Sequence, residues 1–271
     1  MKQLLTVLML VLVLAACAGN GSTGEVTVPE DPDRVVLTVT SEGGFVPVEF
    51  NLDRMPRYVL MADRTLYYQG PTTLEFPGAL LPNVQQTTLP EKAFDEVLSL
   101  IGELGLPEID EEVDNQGAEQ IADATTEFIT FYDEAGTHRY GFYALDISDA
   151  GSTDRLLAIE LVQALDQASA NGPATPFHPD RLQVAAGPPM DFDGLGSTEP
   201  WPLSASFEEM DEWAFGWRCL ELEGEDVDEL LAVFESANQA TVWDTGSETY
   251  TLKARPLLPG ETACSGAPQG A

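Results

Sequence analysis

Side chains able to do chemistry are sparse in this chain: of 271 residues three are cysteine and two histidine, against 46 acids. Serine–histidine catalysis would need His138, inside the strand-like run THRYGFY, or His178, among the prolines of TPFHPD. No G-x-S-x-G turn presents a serine to either. Carboxylates are the commoner candidates. Asp244, in VWDTGSETY, follows two apolar residues and precedes Thr245-Gly246-Ser247. Hydrolysis by such a group needs a second carboxylate sharing its proton. The nearest approximation is Asp149-Ala150-Gly151-Ser152, where alanine replaces the hydroxyl residue. Asp and Gly between two strand-like runs are also what a tight turn requires, and that is the reading taken for Asp244. No catalytic residue is assigned.

Metal ligation is no better supported. DFDG at 191–194 and EEVDNQGAEQIAD at 111–123 have the composition of calcium loops. A loop frame beginning at Glu112 puts Gly117 sixth, but leaves Gln116 at a ligand place and Asp123 where a bidentate glutamate belongs. Both read as solvated acidic loops. The acids of EGEDVDE at 223–229 suit the positive end of a helix dipole. No metal site and no cofactor motif is expected.

One run offers a surface instead. In EWAFGWRCLEL, Trp213, Phe215, Trp217 and Cys219 alternate with the small Ala214 and Gly216, so as one strand they share a face. Packing around a disulfide is the default for that face. The functional alternative is an aromatic platform for a glycan, with Trp213, Phe215 and Trp217 as the candidate binding surface.

Of the cysteines, Cys17 ends an apolar run, Leu4 to Leu14, interrupted only by Thr6 and preceded by Lys2. A helix of eleven residues spans about 16 Å, against a hydrocarbon core of about 30 Å, so the run reads as an export signal over 1–16. Leu14-Ala15-Ala16-Cys17 resembles the lipobox of bacterial lipoproteins. That resemblance implies diacylglyceryl transfer to the Cys17 sulfur, cleavage that leaves Cys17 as the mature N-terminus, and palmitate-type chains holding it in the membrane. Export in turn favours one disulfide between the remaining pair, Cys219 and Cys264, since no C-x-x-C spacing points to redox chemistry. The bridge would pin the Pro- and Gly-rich tail to the body.

The formal net charge is −34, and loss of Lys2 with the leader makes the remainder more acidic still. Without a basic stripe, nucleic acid is excluded as a partner. An anionic leaflet repels such a surface, so contact with the membrane falls to the lipid anchor. Envelope protein, protease or glycan are the partners left.

The elements that carry these residues are an α+β set: antiparallel sheets with short packed helices. After a flexible linker over 17–33, RVVLTVT begins a strand and RYVLMADRTLYYQG a hairpin turning near Asp63-Arg64. Phe94, Val97, Leu98, Ile101 and Leu104 recur at helical spacing, with Thr88 and Glu91 as a capping box and Gly105 as the stop. A second helix covers 152–170, and EDVDELLAVFESAN gives a third. The order helix then antiparallel hairpin occurs twice, suggesting two similar modules, at 34–150 and 205–271. The helix and a Pro/Gly-rich connector fill 151–204.

Asp244-Thr245-Gly246-Ser247 resembles the active-site signature of aspartic proteases, whose chemistry the missing second motif denies. GGFVPVEFNLDRMPRYVLMADRTLYY and ANQATVWDTGSETYTLKARPLLPGETAC together resemble a group of uncharacterised lipoproteins of high-GC Gram-positive bacteria. That likeness implies export and anchoring, and brings no functional residues with it. Gly43-Gly44-Phe45 followed by the helix at 89–104 is similar to emfourin-type protease inhibitors, which adds inhibition to the binding roles. The expectation is a membrane-anchored extracytoplasmic lipoprotein carrying a non-catalytic binding or interaction module. An envelope hydrolase and a purely structural envelope component are the alternatives.

Overall fold

A computed structural model describes residues 26–105, 112–134, 136–148, 151–190 and 192–265. The leader and Cys17 lie outside the described residues, as do Asp149, Ala150 and Asp191 of the acidic motifs. Among the described residues, two sheets and three α-helices make an α+β fold.

The first sheet takes β1 (Val35–Gly43), β2 (Tyr58–Met61), β3 (Thr65–Gln69) and β4 (Val84–Thr88), then β5 (Glu112–Asp114), β6 (Thr125–Tyr132), β7 (Thr137–Tyr143) and the short β8 (Thr175–Pro176). Their spatial order is β5-β7-β6-β1-β2-β3-β4-β8. Helix α1 (Glu91–Leu104) and helix α2 (Thr153–Asn171) cover one face. Alternation decides which side chains they meet: Tyr58 and Leu60 of β2 join Ile101 and Leu165 in the main core, whereas Val59 and Met61 look the other way.

The second sheet contains β9 (Arg181–Gly187), β10 (Thr198–Pro200), β11 (Asp211–Ala214), β12 (Trp217–Glu223), β13 (Val242–Asp244) and β14 (Thr249–Pro256), in the order β10-β13-β14-β9-β12-β11. Helix α3 (Glu225–Ser236) covers its outer face, where Leu182, Val184, Leu252 and Ala254 meet Leu230 and Phe234. Its inner face carries Gln183, Lys253 and Arg255, all buried. Leu52, from the segment between β1 and β2, packs on Ala185 and Trp217, and Leu258 of the tail packs on Val59 and Met61 of the first sheet. These inserted residues join the sheets.

Both sheets are antiparallel apart from one parallel pair at an edge, β5 with β7 and β10 with β13. In each, a central strand lies between two hairpins, with the helix-then-hairpin order expected. The threading differs. After β1 the chain enters the adjacent β2 and then β3, but after β9 it forms β10 at the far edge and then the outer β11 before the adjacent β12. The hairpins following α1 and α3 are reversed in the same sense.

Several sequence expectations need correction. The 151–204 segment divides between the sheets: α2 and β8 belong to the first, and β9 is the central strand of the second. RLQVAAG was hidden because a strand covered on both faces shows no polar–apolar alternation. Thr88 ends β4 and does not cap α1, whose N-cap is Pro90 with no side-chain bond. The stop at Gly105 stands, with φ 59 in the left-handed region. Within the expected linker, Val26 and Val28 pack against the main core. Among the described residues no helix is long and apolar enough to cross a membrane.

Candidate functional site

Asp244 ends β13, exposed, and its Oδ1 accepts a 2.7 Å hydrogen bond from the Gly246 N–H. Its carboxylate closes the β13–β14 turn. His138 Nε2 lies 3.3 Å from Asp133, and His178 Nε2 lies 3.5 Å from Asp228. In the expected acidic loop, Glu112–Asp114 forms the edge strand β5, and buried Asp114 accepts from the Gln116 N–H and the Ser152 hydroxyl. Among the described residues no group of three or more His, Cys, Asp or Glu is arranged to hold a metal ion.

EWAFGWRCLEL is not one strand. Phe215 and Gly216, with φ 50 and 84, turn the chain between β11 and β12. This takes Phe215 away from the face that Trp213 and Trp217 still share. Trp217 is 6% exposed against Leu52 and Ala185, Trp213 is half-buried beside them, and Phe215 stands 66% exposed at the turn. The Ala-Phe-Gly-Trp alternation fitted a strand, but two successive residues with positive φ make a hairpin turn. Cys219 and Cys264 form a disulfide with Cα atoms 5.8 Å apart. The tail is fastened further by Arg255 Nη1 donating 2.8 Å to Glu261 and by the Cys264 N–H donating 3.0 Å to Gln183 Oε1. Phe45, after the Gly43-Gly44 turn, is 81% exposed.

A polar cluster unforeseen from sequence lies on the helix-covered side of the first sheet. Arg57 bridges Asp146, at 2.9 Å, and Asp166 of α2, at 3.3 Å, and the Tyr58 hydroxyl donates to Asp166. Burial, then the bond to Asp166, pushes the Tyr58 phenol up to about 12. Beside it, buried Glu127 accepts from the Ser41 hydroxyl; burial raises its pKa, and Oε2 has no hydrogen-bond partner. Glu127 is 3% exposed, whereas Asp146 and Asp166 are exposed and line a cleft of about 430 Å³ beside α2; the cluster ties α2 to β2.

A cleft of about 810 Å³ lies on the outer face of the second sheet. Strand β10 pairs with β13 in the register Glu199↔Trp243, and the Trp201 N–H continues the edge by donating 2.9 Å to Asp244 O. Pro200 and Pro202, which cannot donate to a ladder, are suited to this edge and lead the chain away from the sheet. Residues 199–204 make one wall and α3 the other, with Leu222 and Trp243 between them, enclosing about 810 Å³. Trp201 is held by its Nε1–H donating 2.9 Å to Ala205 O and by an edge-on contact with Tyr250 at 5.5 Å. Glu248 accepts from the Tyr250 hydroxyl at 2.6 Å and, with burial, pushes that phenol up to about 12.

Trp243 is 1% exposed and lies edge-on to Phe234, yet its Nε1–H has no hydrogen-bond partner. A buried indole N–H normally finds one. Glu199, Asp226 and Glu229 complete the lining, which contains no Lys, Arg or His. Sequence reasoning passed over these residues: VWD drew attention to Asp244, and EPWPL was absorbed into the connector. The signal was a tryptophan between prolines.

The fold is α+β, with an acid-rimmed groove between α3 and residues 199–204. No protein-family model, curated protein or solved structure matches the chain.

Proposed function

We propose that the chain is an exported lipoprotein, held to the outer face of the cell membrane through Cys17, whose folded part is a non-catalytic binding module working through the cleft between α3 and residues 199–204. The observation that carries the binding role is the cleft itself, about 810 Å³ between α3 and residues 199–204. That volume is within the usual size of a ligand site, and Trp201, Leu203 and Leu230 give part of the lining an apolar character. The anchor rests on the Leu14-Ala15-Ala16-Cys17 motif after a short apolar run. Two long acyl chains bury enough methylene groups, at about 0.8 kcal/mol each, for stable attachment.

Val233 stands at the rim, one turn along α3 from Glu229. Arg at this position is accommodated in solvent, pairs with Glu229 and fills the cleft. Capture of envelope material by the full mature chain should therefore be lost in Val233→Arg with its thermal midpoint unchanged. Equal capture by both proteins contradicts the cleft assignment. Cys17→Ser should move the protein from the membrane fraction to the medium, and continued sedimentation with membranes contradicts the anchor.

A further inference from the structure

One guanidinium is tied to both walls of the cleft beside α2. The turn after β7 makes the first wall, with Leu145, Asp146 and Ile147, and α2 makes the second, with Val162, Gln163 and Asp166. Arg57 Nη1 donates to both Asp146 oxygens, at 2.9 and 3.0 Å, and its Nη2 donates to both Asp166 oxygens at 3.3 Å. The side chain therefore sets the distance between the walls. We propose that Arg57 is a clasp across this cleft, released when the neighbouring buried Glu127 gives up its proton.

Strand register brings Glu127 to this place. Val39 of β1 pairs with Ile129 of β6 in the main core, and Ser41 pairs with Glu127 two positions further along the same face. Few groups act on Glu127 there. From β1 the Ser41 hydroxyl donates to Oε1, and from β7 the paired residue is the uncharged Phe142. The segment entering β2 supplies Arg54 and Arg57, and the turn after β7 supplies Asp146. Asp166 and the Tyr58 hydroxyl complete the set through Arg57. Glu127 Oε2 has no hydrogen-bond partner. A neutral carboxyl tolerates such a position far better than a carboxylate that is 3% exposed. The arrangement is that of the protonated acid, in line with burial raising its pKa.

Once ionised, Glu127 needs a cation, and two are at hand. Arg54 is occupied by the carbonyls of Ser41 and Gly43, at 3.0 and 3.3 Å, where β1 extends beyond β2. Arg57 acts on Glu127 more strongly than Arg54 does. The pairs it gives up are worth little, because the side chains of Asp146 and Asp166 are 59% and 44% exposed and water takes them over. The Arg57 N–H donates 2.8 Å to Val39 O, which holds the backbone while the side chain turns. Helix α2 then keeps the Tyr58–Asp166 bond but loses its link to Asp146, and the cleft is free to widen. The sign is fixed by the direction of the shift: the folded-state midpoint of Glu127 lies above 4.5, and the clasp is shut below that midpoint and open above it.

Carbon-13 carboxyl shifts of the full mature chain, followed from about pH 4 to about pH 8, test the coupling without any variant. Asp146 and Asp166 should each show a step at the Glu127 midpoint as the guanidinium leaves them. Amide exchange should share that midpoint. Above it residues 145–148 and 162–169 should exchange about ten-fold faster than in Glu127→Gln, and below it the two proteins should match. Arg57→Gln, with no clasp to release, should exchange fast in both segments and show no step. A Glu127 that keeps its proton throughout, or that titrates with no step at Asp146 and Asp166, overturns the proposal. The same exchange profile in the parent and in Glu127→Gln overturns it as well.

Discussion

Lys253 Nζ lies 3.2 Å from Asp53 Oδ2, joining the inner face of the second sheet to the segment between β1 and β2 across 200 positions of sequence. Both groups are largely out of water, with side-chain exposures of 7% and 19%. Removing one member of such a pair strands the other charge, whereas replacing both with apolar residues does not. Asp53→Ala should cost about 3 kcal/mol in urea denaturation, and Lys253→Met with Asp53→Leu should recover most of that loss. Equal losses in the single and double variants would show that the pair is not coupled.

The Cys219–Cys264 bridge closes a loop with a sequence separation of 45. In the chain-entropy model a loop of that size contributes about 4 kcal/mol. Replacing both cysteines by serine should lower stability by about that amount, and reductant should lower the melting temperature of the parent but not of the variant.

Arg155 is fully buried at the start of α2, donating 3.2 Å to Ser148 O and 2.8 Å to Ala144 O. It satisfies backbone carbonyls of the turn that precedes the helix. Arg155→Leu retains apolar bulk but removes both charge-assisted bonds, a loss of about 3 kcal/mol, although Ala144 O still accepts from the Ile147 and Ser148 N–H groups. Amide exchange should then accelerate first at 144–148 and in the opening turn of α2.

Glu127 gives the protein a pH response of definite sign. Burial raises its folded-state pKa above 4.5. Between 4.5 and that higher value the folded chain holds the proton more tightly than the unfolded chain, so stability falls as pH rises through this window. Glu127→Gln has no proton to lose. The variant should gain on the parent as pH rises from 4 to 7.5, and a constant difference between the two curves would assign the slope to other groups.

How much of this was legible in the sequence depended on how each segment is buried. Helix α1 could be read directly, because Phe94, Val97, Ile101 and Leu104 form one buried face and Gly105 adopts the left-handed stop. The Asp63-Arg64 turn was also legible, with Arg64 at φ 75 between β2 and β3. Strand β9 was not, since both its faces are covered and its borders are Pro- and Gly-rich. The cleft was harder still. It is assembled from residues 199–204, α3 and β13, which meet only when β10 pairs in parallel with β13. No local pattern encodes that pairing. The hairpin turn at Phe215-Gly216 shows the opposite failure, where strand-like alternation continued through a reversal of the chain.

The account makes the cleft the working surface, and hydrogen exchange of the full mature chain with and without envelope extract tests that most directly. It predicts slowed exchange confined to residues 199–204 and 225–237, the two walls. Slowing confined to the hairpin at 211–219, or no slowing in either wall while material is bound, would contradict it.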